Sequence, residues 1–166
     1  MEEMIEIINE KGHTIKVVPR SEMRKKNLKH KGTFILVFDS KNEILITKRT
    51  MTKDLFPGLY EIKHGGTVSV GESFEENAKK ELKEELGIKK VPLNFLFDFS
   101  YKDSNNNVLG RVFECVYDGP IKMQKEEVES YEWISMGELK KRIKSKRYKF
   151  CPDHLVSLKK YFSMKK

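Results

Sequence analysis

Cysteine is scarce in this chain: Cys115 and Cys151 are the only two, far apart and without a C-x-x-C partner. Two isolated thiols exclude a disulfide framework, argue against a zinc site, and fit a reducing compartment. Long apolar runs are also missing. None approaches the roughly 18 residues of a membrane span, and the N-terminal MEEMIEIINE is acidic where a secretory signal is basic and then apolar. These absences predict a cytoplasmic protein without a membrane partner. No internal repeat, linker or second unit is visible, so the 166 residues are expected to form one domain, 1–166, long enough to bury a real core.

What is plentiful is positive charge, +8 net with a pI of about 9.3. It collects in two runs. RSEMRKKNLKHK covers residues 20–31, and KKRIKSKRYK covers 140–149 with seven Lys or Arg in ten positions. Such runs bind phosphates or nucleic acid, or form solvated faces of helices. Both alternatives stay open at this level.

Many of the acids gather instead in Gly65 to Ile88, GGTVSVGESFEENAKKELKEELGI. Ser73 with Glu76 reads as a capping box and Gly87 as a left-handed C-terminal stop, which predicts a helix over 74–86. Ala78, Leu82 and Leu86 form its apolar stripe. Glu81, Glu84 and Glu85 stand at i, i+3 and i+4, on one face beside that stripe. Like charges so spaced cost a helix roughly 0.2 to 0.5 kcal/mol per pair unless a cation or basic neighbour offsets them. A magnesium ion, which takes oxygen ligands from a few carboxylates, waters and substrate phosphates, meets that need, and manganese is an alternative of the same ligand preference. On residue type alone, a solvated Glu/Lys face is the commoner outcome for E-x-x-E-E.

The full spacing decides between these. Reading from Gly66, five residues lead to Glu72 and seven more to Lys80-Glu81-Leu82, followed by Glu84-Glu85 and Gly87-Ile88. This resembles the Nudix box, over residues 66–88, at eight of its nine specified positions. With Gly and Glu each near 7% of residues, chance would give such a match less than about once in a million starts. The departure is Lys80, where the box carries arginine: the charge is kept, while the two-pronged geometry of a guanidinium is lost. In the family that basic residue helps hold the glutamate cluster. The opening stretch, with His30 and then Lys48, Arg49, Pro57, Gly58 and Tyr60, is similar to the Nudix subgroup nearest isopentenyl diphosphate isomerase, over roughly residues 4 to 155. The isomerase uses a cysteine shortly after its Pro-Gly turn. Here His64 holds that place, so the resemblance is to its fold and not to its reaction.

Along the chain, strands are expected at 4–9, 15–18, 33–38, 44–48, 95–101, 108–117 and 130–134. Ser21 is expected to cap a short helix reaching Leu28, and Ser135 with Glu138 a helix reaching Lys144. An amphipathic helix carrying Leu155, Leu158 and Phe162 should close the chain. Hairpins dominate the connections. The expected fold is α/β: a Nudix-type α/β/α sandwich around a mixed, largely antiparallel sheet, with residues 1–31 as an N-terminal hairpin extension.

The resemblance implies a metal-dependent hydrolase that cleaves the diphosphate linkage of a small molecule of nucleoside diphosphate type. Glu81, Glu84 and Glu85 would hold the metal, with a carbonyl from Gly66 or its neighbour Gly65. A further glutamate, Glu127 or Glu126, would come from the loop before Val128. Glu72 and Lys80 would support loop and helix, while Lys48, Arg49 and His64 are candidates to bind substrate. The alternatives are an isomerase-like enzyme and a nucleotide- or RNA-binding module without turnover, the latter supported only by the basic runs.

Overall fold

The computed structural model describes residues 1–165. Strands β1 (Met4–Ile8) and β2 (Thr14–Pro19) pair as a separate antiparallel hairpin, on which the short helix α1 (Arg20–Lys25) packs through Met23. The principal sheet is built from β3 (His30–Phe38), β4 (Ile44–Arg49), β5 (Tyr60–Glu61), β6 (Asn94–Lys102), β7 (Asn107–Val116) and β8 (Val128–Ile134). Its order is β5-β4-β3-β7-β6, with β8 paired to β4; only β3 and β7 run parallel. Helix α2 (Phe74–Leu86) covers one face, and α3 (Met136–Lys144) and α4 (Pro152–Met164) contribute to the apolar cluster on the other. The sandwich expected from sequence is what is found. Among the described residues no helix is long and apolar enough to cross a membrane.

Strand periodicity sorts the core. In β3, Ile35 and Val37 face α2, while Phe34 and Leu36 join the cluster containing Leu139 of α3 and Leu158 and Tyr161 of α4. In β4, Leu45 faces α2, with Ile44 and Ile46 turned the other way. Central strands buried on both faces read as continuous apolar runs, as TFILVF and ILI do.

Strands β3 and β4 share ladder register only at Phe38 and Ile44, then diverge. The chain after β5 enters the fork: His64 bridges to Ile35 and Thr67 to Gly32. That fork brings the start of the glycine-bearing loop to the middle of the sheet.

Helix α2 spans the expected 74–86. Ser73 Oγ accepts from the Glu76 N–H at 3.0 Å, Glu76 accepts from the Ser73 N–H at 2.9 Å, and Gly87 ends the helix at φ 69°. Two expected caps differ. Helix α1 starts after Pro19 without a side-chain cap; Ser21 lies inside it, its N–H bonded to Glu2 at 2.7 Å, and the helix stops at Lys25 rather than Leu28. At α3, Ser135 accepts from Glu138 N–H, but the Glu138 carboxylate bonds to Arg142 at 3.0 Å, so the cap is one-sided. Arginine one turn on outcompetes a neutral backbone donor.

Ser73→Ala, which removes one half of the reciprocal cap on α2, is expected to cost about 1 kcal/mol in urea-induced unfolding.

Candidate active site

Glu81, Glu84 and Glu85 of α2 project into a cavity of about 590 Å³ lined also by Gly65, Gly66, Arg49, Lys53, Glu126 and Glu127. Glu84 is exposed, Glu81 half-buried, and Glu85 only 8% exposed. Across from α2 the loop lies very close. At Gly66 a Cβ would stand 2.8 Å from Cδ of Glu81, so a side chain there would displace that carboxylate. Gly65 adopts φ +141° with the Thr33 carbonyl where its Cβ would be.

Loop and helix are tied by buried polar groups. Thr33 Oγ1 donates to Asn77 Oδ1 at 2.6 Å, and Asn77 Nδ2 reaches the Thr67 carbonyl at 3.0 Å and Glu72 at 2.8 Å. Glu72 also accepts from the Ser69 N–H at 3.2 Å and forms an ion pair with Lys80. Glu72 and Lys80 thus lie together between the glycine-bearing loop and α2. Asn77 was not singled out in the sequence, where it looks like an ordinary polar helix residue.

Electrostatics follow from this burial. Desolvation, with the Glu84 carboxylate adding to it against the pull of Lys80, pushes Glu81 up to about 7. Burial, then the carboxylates of Glu61 and Glu81, hold Glu85 well above the usual carboxylate range. Glu61, on β5, bonds to Arg49 at 2.7 Å, and Arg49 also donates to the Leu55 carbonyl at 3.0 Å. Glu127 pairs with Lys53. The first basic run contributes three lining residues, Arg20, Arg24 and His30; the two arginines, four residues apart, both donate to Asp54, at 3.3 and 3.4 Å. The second run contributes no lining residue. Its Arg142 pairs instead with Glu132 and Glu138.

Two expected substrate ligands are elsewhere. Lys48 alternates away from Arg49 on β4, 3.5 Å from Glu129 and over the Tyr60 ring. The strand's period of two makes neighbouring residues face opposite sides, so Lys48 and Arg49 cannot both enter the cavity. His64 is buried in the fork, its Nε2 3.0 Å from the Leu45 carbonyl, and does not line the cavity. The residues unmarked in sequence, Glu61, Lys53, Asp54, Lys63, Asn106 and Asp153, are single polar side chains brought in by distant elements. Alternation along Tyr60-Glu61-Ile62 was the one available signal, because it turns Glu61 away from Tyr60.

Acidic residues outnumber basic ones nine to six along the cavity. With all of those acids ionised, a polyanion needs added positive charge to enter. The donors of α2 are carboxylate oxygens, and the Gly66 carbonyl, bonded to the Thr33 N–H at 2.9 Å, keeps a second lone pair. This donor set fits a hard divalent cation. Cys151, Asp153 and His154 also lie within mutual ligand distance, but His154 Nδ1 already accepts from the N–H groups of Ile62 and Lys63, each at 3.2 Å. That ring nitrogen is taken, and the trio is a packing feature.

A family model described as the NUDIX domain matches residues 28–154. The Nudix hydrolase YfcD of Escherichia coli (strain K12) is 37% identical over 156 residues, covering 94% of this chain and 84% of its own length. The Nudix hydrolase PA4841 of Pseudomonas aeruginosa is 34% identical over 159 residues, with 96% and 93% covered. Among solved structures, DR0079 from Deinococcus radiodurans superposes with a TM-score of 0.79 at 22% identity, over 93% of this chain and 96% of that one. A MutT protein from Methanosarcina mazei Go1 superposes at 0.68 and 22% identity, over 82% and 94%. The structural likenesses speak for the fold.

Burial, with Glu61 nearby, raises Asp153 from 3.8 to about 6. The folded state then holds this proton where the unfolded chain has lost it, so the residue lowers stability as pH rises from about 4 to 6. The stability of Asp153→Asn relative to the parent protein should therefore increase across that window, as read by thermal unfolding at successive pH values.

Proposed function

The chain belongs to the Nudix family and is a pyrophosphohydrolase, and on that premise we propose that it hydrolyses the diphosphate linkage of a nucleoside diphosphate-type substrate with a divalent cation, magnesium or manganese, held by Glu81, Glu84, Glu85 and the Gly66 carbonyl. The observation that carries this reading is the meeting of three glutamates from one helix with Arg20, Arg24, Arg49 and Lys53 in a single cavity. When bound, the cation supplies Lewis acidity, polarising a phosphoryl oxygen and lowering the pKa of water.

The chain's own residues do the rest. Arg49 and Lys53 stand ready to neutralise charge that builds on the departing phosphate, and their existing partners Glu61 and Glu127 keep both side chains oriented. Arg20 and Arg24 hold the phosphates further along the wall. Glu127 accepts the proton of the attacking water. We favour it over Glu126 because its carboxylate is anchored by Lys53, and a positioned base is the more effective one. Glu72 and Lys80 keep the loop against α2, so their influence on the reaction is indirect.

The competing readings lack a comparable observation. Neither Cys115 nor Cys151 lines the cavity, and His64 is sealed off from it, which leaves an isomerase without its thiol. A nucleic-acid role drew on the basic runs: Arg20 and Arg24 of the first are committed to Asp54 and the cavity wall, whereas the second, with Arg142 paired to Glu132 and Glu138, stands on the surface outside the cavity.

Glu84→Gln and Glu85→Gln should each lower kcat on a diphosphate substrate by about 100-fold or more. Both should keep the parent Tm or exceed it, because each relieves like-charge crowding. Retained turnover in both variants would overturn the reading. Chelation should stop turnover and added magnesium restore it.

A further inference from the structure

Charge is divided unevenly along the chain. Residues 1–135 hold 22 Lys or Arg against 23 Asp or Glu and are close to neutral, whereas residues 136–166 hold 11 against two. The whole positive balance therefore lies from α3 onward. Of the two acids there, Asp153 is buried at the cavity wall and Glu138 is paired with Arg142. Neither is left to offset the remaining cations.

Lys140, Lys141 and Lys144 of α3, with Lys146, Arg147 and Lys149 of the loop that follows, are all exposed, and among the described residues none of the six forms an ion pair. None lines the cavity of Glu81, Glu84 and Glu85. The loop is pinned to β5, because the Tyr60 N–H donates to the Lys149 carbonyl at 2.8 Å and the Cys151 N–H to the Tyr60 carbonyl at 2.9 Å. Its cations are thus presented from a fixed backbone. Helix α4 joins the same surface: Lys140 Nζ stands 4.8 Å from the centroid of the Phe162 ring, and exposed Lys159 precedes Phe162 by three residues on one helix face. The macrodipole of α3 favours cations in its last turn, which accounts for Lys141 and Lys144. It does not reach Lys149, or Lys159 on another helix. So many like charges repel one another until an anionic partner answers them.

The surroundings of these cations narrow what the partner is. A single strand of nucleic acid is held by stacking its bases on open aromatic rings. Here the rings are covered, Tyr148 by Arg142 and Arg147 at 4.8 and 5.9 Å and Phe162 by Lys140. An anionic membrane takes up bulky apolar side chains beside the charge. The apolar side chains of this stretch, Ile143 and Tyr148, are half-buried and packed onto the core. A duplex asks for neither, since its bases are already stacked and it shows closely spaced phosphates on the outside. We propose that the surface formed by α3, the loop after it and α4 binds the phosphate backbone of duplex nucleic acid without reading its sequence. This is a second activity beside the hydrolase and outside its cavity.

The test is the fluorescence anisotropy of labelled duplexes of about 20 base pairs with hydroxyl ends, in two unrelated sequences and at increasing salt. Both sequences should bind alike. With about four or five phosphates neutralised, raising salt from about 50 to about 200 mM should weaken binding by about 100-fold or more. The triple variant Lys141→Glu, Lys144→Glu and Arg147→Glu should weaken it by about 30-fold or more at about 50 mM salt. The same change of charge at exposed sites elsewhere, Lys11→Glu, Lys16→Glu and Lys41→Glu, should cost about fivefold or less. Thermal unfolding checks that both variants are folded, and the milder pair Lys144→Gln and Arg147→Gln replaces the first if it is not. No binding of either duplex at about 50 mM salt overturns the proposal. So do equal losses in the two triple variants, which would make net charge the cause, and so does capture by phosphatidylserine vesicles of a protein that ignores the duplexes.

Discussion

Carboxylates forced together out of water are the constraint on which this structure turns. Glu81, Glu84 and Glu85 share a helix face, and Glu61 reaches Glu85 from β5. Such a group is unfavourable in either of its states: ionised it suffers mutual repulsion and desolvation, and protonated it loses its metal-binding power. The surrounding ion pairs, Arg49 with Glu61, Lys53 with Glu127 and Lys80 with Glu72, offset only part of this. What remains is unbalanced negative charge, which the divalent cation proposed above would answer. The stability sacrificed at that spot would then be the source of its binding, as expected where a functional site violates ordinary packing rules.

The Lys80 departure from the Nudix box can be judged against its surroundings. An arginine would grip Glu72 with two parallel bonds, whereas lysine offers a point charge. Here the Ser69 N–H and Asn77 Nδ2 both bond the same carboxylate, so Glu72 is held from three directions. The orientation that a guanidinium would impose is shared among neighbours.

Legibility in the sequence followed the range of the interactions. Helix α2 was readable to the residue because its caps, stripe and acidic face all lie within one short stretch. Seven of the eight described strands were readable from period-two and continuous apolar runs, with edges shifted by one to three residues where pairing extends β3 to His30 and β8 to Val128; β5, two residues long, offered no run to read. The cap at Ser21 failed because Pro19, with its φ preset, starts the helix without help. Lys48 and His64 failed for another reason: which side of β4 faces the cavity, and that His64 lies in the fork, depend on β3 and β4 diverging. No local pattern encodes that. Arg20, Asp54, Glu61, Asn106 and Asp153 meet only after the chain has crossed the sheet several times.

The parallel register between β3 and β7, His30 with Val108 through Phe38 with Val116, bears on how the chain comes off the ribosome. β3 has almost no ladder with β4, so its main partner is a strand made after β4, β5, α2 and β6 have all emerged. Until then TFILVF is an unpaired apolar edge, the kind of surface that chains use to stick to one another. Closing so distant a pairing is slow compared with forming hairpins or helices. The same topology that cradles the acidic helix therefore leaves the pairing of β3 to the late part of synthesis.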